Sequence, residues 1–196
     1  MSTTELKKPD VGIMLRGVRL SFPDLFVAKQ YQGNGPFKYS ATFLVAPGSP
    51  NDLAIKAEIA KAAKAKWAEK APEILKTIEG QSMKYAYVNG NTKAYEGYAG
   101  MMALSAKRGQ DAGHPKVIDT DLRDITPEEG IPYGGCIVNA KVSIWAQDNS
   151  WGKGIRCTLM TVQFAGHGES FGGAPQATTD GFEHVEVAAD DASDLT

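Results

Sequence analysis

Alternating apolar and polar positions predict strands in the first half of the chain. Residues 11–22 (VGIMLRGVRLSF) alternate, and the alternation changes phase across Gly17, which predicts a strand with a bulge or bend. A loop with Gly33, Gly35 and Pro36 is predicted after this strand, and residues 37–46 (FKYSATFLVA) alternate again and predict a second strand. Two shorter strands are predicted at residues 83–88 and 101–108, separated by a loop rich in glycine and tyrosine.

A hairpin is predicted further along the chain. Residues 136–147 and 154–164 are predicted to be strands on either side of a turn. If the turn is Asn149-Ser150, Trp145 opposes Gly154 and the apolar side chains of both strands share one face. The other face then carries Lys141, Ser143, Trp145 and Arg156.

One long helix is predicted after the second strand. Ser49 is a helix-capping residue type, Pro50 suits the first helical position, and an Ala/Lys-rich segment continues to about Lys70. Apolar residues recur every four positions on the face that should pack on the body, namely Ile55, Ile59, Ala63 and Trp67. The lysines spread around the remaining circumference and are interpreted as a solvated surface: Lys56, Lys61, Lys64, Lys66 and Lys70. Pro72 is expected to end or kink this helix, and a last turn is expected to reach Ile78.

Together these elements predict a mainly β chain of six or seven strands with one long helix. Parallel α/β folds need a helix between most strands, so they are disfavoured, and a small antiparallel barrel or sandwich remains. Our first choice is an OB-like antiparallel barrel with a helix inserted after the second strand and an acidic C-terminal tail. Residues 109–134 form a long irregular segment, which in a compact domain is usually functional or mobile.

The charge of the chain is polarised along its length. The 196 residues contain 21 Lys+Arg and 23 Asp+Glu, but every basic residue lies at or before Arg156. Residues 1–165, with 21 basic and 16 acidic residues, carry plus 5, and residues 166–196 carry minus 7. We expect a flexible N-terminus over residues 1–10, one OB-fold domain over 11–165 and a flexible acidic tail over 166–196. Such a tail is either solubilising or an imitation of a polyanion that binds the basic body to which it is tethered.

Enzyme, metal and membrane signatures are missing from the sequence. Cys136 and Cys157 lie far from the three histidines, so no Cys/His cluster has zinc spacing, and both are expected to be reduced core residues. No glycine-rich phosphate loop precedes a helix, and no apolar run approaches the roughly 18–20 residues that span a bilayer. Asp119, Asp121 and Asp124 could suggest a metal, but their spacing lacks the glycine and glutamate of a calcium loop. We expect a non-enzymatic, cytoplasmic protein without cofactor, metal or membrane partner.

Aromatic residues repeatedly lie beside cations. Lys84 adjoins Tyr85, and Lys153 follows soon after Trp151. Single-stranded nucleic acid uses this mixture, because bases stack on flat side chains at about 1–3 kcal/mol each while cations follow the phosphates. Four of the rings could equally be structural, as core residues or by holding a loop down: Tyr85, Tyr87, Tyr95 and Tyr98.

Five segments carry a resemblance that covers nearly the whole chain. They are the opening strand with Arg16 and Arg19, the FKYSATFLVAP strand entering the capped helix, the MKYAYVNG stretch with its loop, the C-terminal hairpin, and the acidic terminus VEVAADDASDLT. The layout resembles the phage single-stranded-DNA-binding proteins, in particular an OB-fold family first catalogued as a domain of unknown function and related in architecture to the T7-type phage protein. The resemblance implies proteins that coat single strands without sequence preference and use an acidic tail to block their own groove and to recruit replication proteins.

We therefore expect sequence-independent binding of single-stranded DNA in phage replication, recombination or repair, by a monomer or homodimer in the host cytoplasm. The expected DNA-binding residues are Arg16, Arg19, Lys38, Lys84, Tyr85, Tyr87, Tyr95, Tyr98, Lys107, Arg108, Lys141, Trp145, Trp151, Lys153 and Arg156. The tail residues expected to regulate access to DNA or to recruit a polymerase or helicase are Asp180, Glu183, Glu186, Asp190, Asp191 and Asp194. Two other classes stay open: a structural or protein-interaction β module, such as a virion component, and an enzyme on DNA with a metal at Asp119, Asp121 or Asp124.

Overall fold

Seven strands and two α-helices organise residues 12–172, which are the residues that the computed structural model describes. The strands are β1 (Ile13–Tyr31), β2 (Asn34–Val45), β3 (Tyr87–Asn89), β4 (Met102–Gly109), β5 (Lys116–Ile118), β6 (Ile137–Asn149) and β7 (Gly152–Gly166). The helices are α1 (Pro50–Trp67) and α2 (Ala71–Ile78), both between β2 and β3. The predicted N-terminal segment 1–10 lies outside the described residues.

Five of the strands close into a barrel. β1 pairs antiparallel with both β2 and β6, β2 pairs with β4, and β6 pairs with β7. A parallel bridge between Lys107 of β4 and Thr158 of β7 completes the ring. The short strands β3 and β5 add to β4 and β7 outside it. The prediction of an OB-like barrel with a long helix after the second strand is confirmed.

The first strand is longer than its sequence pattern predicts. A bulge at Gly17, which has a φ of +62°, separates the pairs Leu15↔Ala140 and Val18↔Val138, as the phase change predicts. The strand then continues to Tyr31, where the loop was expected, and forms a hairpin with β2. Register shifts after Ser21 interrupt the alternation, so this extension carries no two-residue pattern that the sequence could reveal.

The β6–β7 hairpin differs in register from the prediction but not in its faces. Asn149 pairs with Gly152, so the turn is Ser150-Trp151, and Trp145 opposes Arg156 rather than Gly154. This is a shift of two residues, and side chains alternate with a period of two, so each one stays on its predicted face. Val142, Ile144, Ile155 and Cys157 are accordingly buried.

The helix packs as its four-residue spacing predicts. Ile55, Ile59, Ala63 and Trp67 are all buried against the barrel. The backbone N–H of Asp52 donates to Ser49 Oγ at 3.3 Å, which caps the first turn. α1 ends at Trp67, before Pro72, and α2 carries that proline in its own first turn. No helix among residues 12–172 is long and apolar enough to cross a membrane.

The folded body extends past the predicted boundary at residue 165. β7 ends at Gly166, and the segment 167–172 lies against the body, where the Phe171 N–H donates to Gly134 O at 2.9 Å. Arg19 donates to the Glu169 carbonyl at 2.6 Å and stacks on the Phe171 ring. Residues 166–172 of the predicted tail are therefore packed on the body. Residues 173–196, with all six predicted regulatory carboxylates, lie outside the described residues.

Candidate nucleic-acid interface

A cleft of about 810 Å³ lies where β4 and β7 meet, between the two long hairpins. The β1–β2 hairpin contributes Tyr31, Pro36 and Lys38, and the β6–β7 hairpin contributes Trp145, Gln147, Trp151 and Arg156. β4 contributes Ser105, Lys107 and Arg108. Because this barrel closes through the parallel bridge of β4 and β7, residues distant in sequence meet here.

The lining of this cleft is basic. Lys38, Lys107, Arg108 and Arg156 line it, and none of its lining residues in the described chain is acidic. The pKa of Lys107 is lowered, first because the cleft partly desolvates its ammonium and then because Lys38 and Arg156 repel it. An anion placed among these three cations would relieve that repulsion, so the cleft favours polyanions.

Hydrogen bonds hold the two arginines in place. Arg156 donates from Nε to Gln147 Oε1 at 3.1 Å and from Nη1 to the Met83 carbonyl at 2.7 Å. Arg108 donates to the carbonyls of Ala112 and Gly113 at 2.8 Å each. Arg156 is therefore pre-positioned on the cleft surface, whereas Arg108 supplies charge while it fixes the loop after β4.

Three aromatic rings are exposed around these cations. Trp151 is 87% exposed at the hairpin turn, and Tyr31 is 64% exposed with the Lys107 ammonium 6.0 Å from its ring centre. Trp145 is 44% exposed, and its indole Nε1 donates to Thr158 Oγ1 at 3.1 Å, which fixes the ring orientation. Exposed, oriented rings beside cations are what unpaired bases and their phosphates require.

Six of the fifteen predicted DNA-binding residues line the cleft: Lys38, Lys107, Arg108, Trp145, Trp151 and Arg156. Sequence reasoning missed Tyr31 and Met83, which also line it. Tyr31 lies in the part of β1 that was predicted to be a loop, so nothing in the local pattern placed it opposite Lys107. Met83 lies at the cleft, where its carbonyl accepts a hydrogen bond from Arg156, which is 73 residues away in the sequence.

Three predicted stacking tyrosines are instead core residues. Tyr85, Tyr87 and Tyr98 are buried, so their rings are not available to bases, and that assignment is corrected. The Tyr87 hydroxyl donates to buried Asp52 Oδ1 at 2.6 Å, and burial together with this carboxylate raises the pKa of Tyr87. The Tyr98 hydroxyl donates to Ser21 Oγ at 3.1 Å.

Tyr95 is exposed but belongs to a different cluster. Its ring contacts Phe22 edge-on with 4.9 Å between centroids and Tyr98 with 5.3 Å. Tyr98 covers Leu44 on the outer face of β2. Since Lys38 and Leu44 are an even number of residues apart on that strand, this aromatic cluster and the cleft share one face of the sheet.

The other predicted cations are not brought into the cleft. Arg19 is committed to the carbonyls of Gly135 and Glu169, at 3.2 and 2.6 Å. Lys153 forms an ion pair with Asp148 at 2.6 Å. The remaining three also lie outside the cleft lining: Arg16, Lys84 and Lys141.

The loop carboxylates have structural partners. Asp119 accepts the backbone N–H groups of Asp121 and Arg123 at 2.9 and 3.0 Å and pairs with the Arg123 guanidinium at 3.0 Å. Within residues 12–172 no group of three or more His, Cys, Asp or Glu side chains could hold a metal ion. Both cysteines are free and buried as predicted, and burial raises the pKa of Cys157 to about 12.

Known proteins resemble this chain in sequence and in fold. A curated relative, putative protein p50 of Acyrthosiphon pisum secondary endosymbiont phage 1, is 39% identical over 182 residues, covering 91% of this chain and 96% of the relative. The single-stranded DNA-binding protein of bacteriophage Enc34, solved in complex with ssDNA, has a similar fold, with a TM-score of 0.68 at 23% identity over 84% of this chain and 91% of that one. Gp2.5, a single-stranded DNA-binding protein of bacteriophage T7, shares the fold with a TM-score of 0.52 at 17% identity over 91% of this chain and 100% of that one.

The family relationship covers nearly the whole sequence. The model of the family described as Enterobacter phage Enc34, ssDNA-binding protein, matches residues 11–194. This span includes the barrel, both helices and the cleft. The chain therefore belongs to the Enc34 ssDNA-binding protein family.

Proposed function

We propose that this protein binds single-stranded DNA without sequence preference in the cleft, in phage DNA replication, recombination or repair within the host cytoplasm. The observation that carries the proposal is one cleft with four cations, three exposed rings and, among the residues that the structure describes, no acidic lining residue. Membership of the Enc34 family supports it. The role is a non-enzymatic one.

Each part of the cleft has a distinct task. Lys38, Lys107 and Arg156 contact phosphates, whose charge relieves the repulsion among them. Tyr31, Trp145 and Trp151 stack on bases. Stacking needs open base faces, so the cleft favours a single strand over a duplex, and every base has such a face, so it reads no sequence.

Tryptophan fluorescence tests this proposal directly. Trp145 and Trp151 line the cleft, while Trp67 is buried in the helix packing, so quenching reports on the cleft. Oligo-dT should quench the fluorescence at low salt, a duplex of equal length should quench it much less, and raised salt should reverse the effect. If oligonucleotides do not quench or bind even in dilute buffer and without residues 173–196, the protein is instead a structural or protein-interaction β module, such as a virion component.

We further propose that the acidic tail regulates access to the cleft. The Gly172 N–H donates to Glu96 Oε2 at 2.9 Å, beside the aromatic cluster on the outer face of β2. Leu44 in that cluster is six residues from Lys38 on the same face, or about 20 Å at roughly 3.3 Å per residue. The 24 residues after Gly172 can span up to about 80 Å and carry six acidic and no basic side chains. Length and charge thus both allow the tail to reach and occupy the cleft.

Three variants separate the charge of the tail from its length and its residue order. Deleting residues 173–196 should tighten DNA binding at low salt, and so should replacing the six tail carboxylates by their amides. A tail with the same acidic residues in scrambled order should leave the affinity unchanged. Unchanged affinity after deletion would show that the tail does not compete for the cleft.

The same tail is our candidate for recruiting replication proteins. We propose that a polymerase or helicase of the phage replication machinery binds the tail carboxylates when DNA displaces them from the cleft. Binding of such a partner should therefore increase when oligo-dT is added to the full chain and vanish in the deletion variant. Light scattering of the protein with and without DNA will show whether it acts as a monomer or a homodimer.

A further inference from the structure

We propose that the bound strand continues past Trp145 into a second groove between α1 and β6, where Lys61 and Lys66 hold its phosphates. The inference rests on the proposed DNA binding in the cleft and adds a second, separate set of contacts to it. It also assigns a function to part of the Ala/Lys-rich helix, whose lysines the sequence pattern placed on a solvated surface.

The second groove adjoins the cleft. Its volume is about 310 Å³, and it is lined by Glu58, Lys61, Ala62, Ala65 and Lys66 of α1 and by Ile144, Trp145 and Ala146 of β6. Trp145 lines both the groove and the cleft. Because the bond to Thr158 Oγ1 fixes the indole, this ring is a stable boundary over which a strand can pass from one to the other.

Within residues 12–172, part of β6 has no neighbouring strand on the helix side, and the groove lies there. Pairing of β1 with β6 ends at the pair Ile13↔Val142, while β6 itself continues to Asn149 beside α1. The helix presents two alanines, Ala62 and Ala65, to this gap. Small side chains leave room that leucine or arginine at the same helical positions would fill.

Charge identifies the occupant. Lys61 and Lys66 flank the groove. Glu58, the one acid among the described lining residues, lies 3.5 Å from Lys61 in an i, i+3 ion pair, and Asp148 near the end of β6 interacts electrostatically with Lys66. The Lys61 side chain is 77% exposed and that of Glu58 is 24% exposed. An ion pair of this length to a solvated lysine contributes little stability, so a phosphate can take the place of the carboxylate beside Lys61 at small cost. A single strand of DNA whose phosphates leave the basic cleft at Trp145 is the ligand that matches the charge of the second groove.

Oligonucleotide length provides the test. Short oligo-dT should fill the cleft alone, whereas longer strands should also reach Lys61 and Lys66, within the site sizes of roughly 4–16 nucleotides known for OB folds. We would measure affinities of dye-labelled dT4, dT8, dT12 and dT16 by fluorescence anisotropy in 50 mM salt for the full chain and its variants.

The informative variant is the double substitution Lys61→Ala and Lys66→Ala. It should leave dT4 binding unchanged, weaken dT16 binding on the order of tenfold, and reduce the salt slope for dT16 by about 1.4, since each lost contact to a single strand removes about 0.7. The matched control is Lys64→Ala with Lys70→Ala, two exposed lysines of the same segment that do not line the groove. It removes the same charge and should match the unmodified chain at every length.

A second variant predicts the opposite sign. Glu58→Gln removes the acid from the groove and frees Lys61, so it should tighten dT16 binding and leave dT4 unchanged, whereas Glu69→Gln, outside the groove, should change neither. Equal affinities of the Lys61/Lys66 variant and its control at all lengths would overturn the inference while leaving the cleft intact. Failure of the unmodified chain to bind any oligonucleotide would instead refute the proposed function.

Discussion

At the scale of single residues, Trp151 is the most exposed large hydrophobic side chain of the described structure, at 87%. It lies at the tip of the β6–β7 hairpin, where its backbone N–H donates to Asn149 Oδ1 at 3.0 Å. Trp151→Ala should weaken binding of oligo-dT by about 1–3 kcal/mol, or roughly 5- to 150-fold, because a stacking surface is lost. Anisotropy titrations will measure this.

The stability of the same variant separates binding from folding. Because the ring is solvated, Trp151→Ala should leave the thermal midpoint nearly unchanged. Leu53→Ala is the matched control, since Leu53 is also exposed, at 60%, but lies on α1 outside the cleft and the second groove. A Trp151 variant that binds normally would remove this ring from the interface.

Lys107 should make DNA affinity depend on pH in a range where an ordinary lysine does not titrate. Its pKa is lowered from 10.5 by partial desolvation in the cleft and by Lys38 and Arg156, and a bound phosphate would raise it again. Near and above the lowered pKa the free Lys107 side chain is partly deprotonated, so binding of DNA is accompanied by uptake of a proton. The affinity for DNA therefore falls as pH rises through the lowered pKa. Lys107→Arg keeps its charge and should flatten this fall at constant ionic strength, and parallel pH curves for the two proteins would contradict the assignment.

The fate of the predicted rings shows what residue-level reasoning from sequence can reach. Trp145 and Trp151 were placed in the interface from a strand face and a turn, which are local features. Tyr87 and Tyr98 have hydroxyl partners 35 and 77 residues away, at Asp52 and Ser21. These tyrosines were predicted to bind DNA because lysines lie near them in the sequence. The residues that contact their hydroxyl groups come close to them only in the folded barrel.

At the scale of elements, the segment that follows β7 is held by a close backbone contact. Gly135 has a φ of +104°, and a Cβ there would meet the carbonyl oxygen of Glu169. Gly135→Ala should therefore cost at least about 1 kcal/mol of unfolding free energy and release the segment 167–172 to proteolysis. Denaturant unfolding and limited proteolysis will measure both effects.

The neighbouring glycine supplies the control for that prediction. A Cβ on Gly134 would come no closer than 3.9 Å to Pro23, and its backbone does not require glycine. Gly134→Ala should change stability by less than about 0.5 kcal/mol. If both substitutions were tolerated equally, the contact with Glu169 would not hold the segment 167–172 in place.

Element order and type were predictable here because the barrel strands alternate and the helix has a clear start. Ser49 and Pro50 marked the first turn of α1, and Gly17 marked the bulge in β1. The sequence did not predict the extension of β1 to Tyr31 or the position of residues 167–172, because both depend on backbone hydrogen bonds to distant segments. The same holds for the cleft, because the sequence predicted the site residues on its β6–β7 side but not Tyr31 on its β1–β2 side.

At the scale of the whole molecule, the separation of charge should determine how binding responds to salt. Four cations line the cleft, so a protein lacking residues 173–196 should show a slope of log affinity against log salt near −2.8 or steeper, at about 0.7 per phosphate contact on a single strand. If the tail occupies the cleft as we propose, it must leave before DNA binds, and its carboxylates then take up counterions that offset part of those released by DNA. The full chain should therefore show a shallower slope and weaker binding at low salt, and the two proteins should converge at high salt, where the tail contact is itself screened. Titrations of both proteins with oligo-dT from 20 to 500 mM salt will measure this, and two parallel lines would mean that the tail never occupies the cleft.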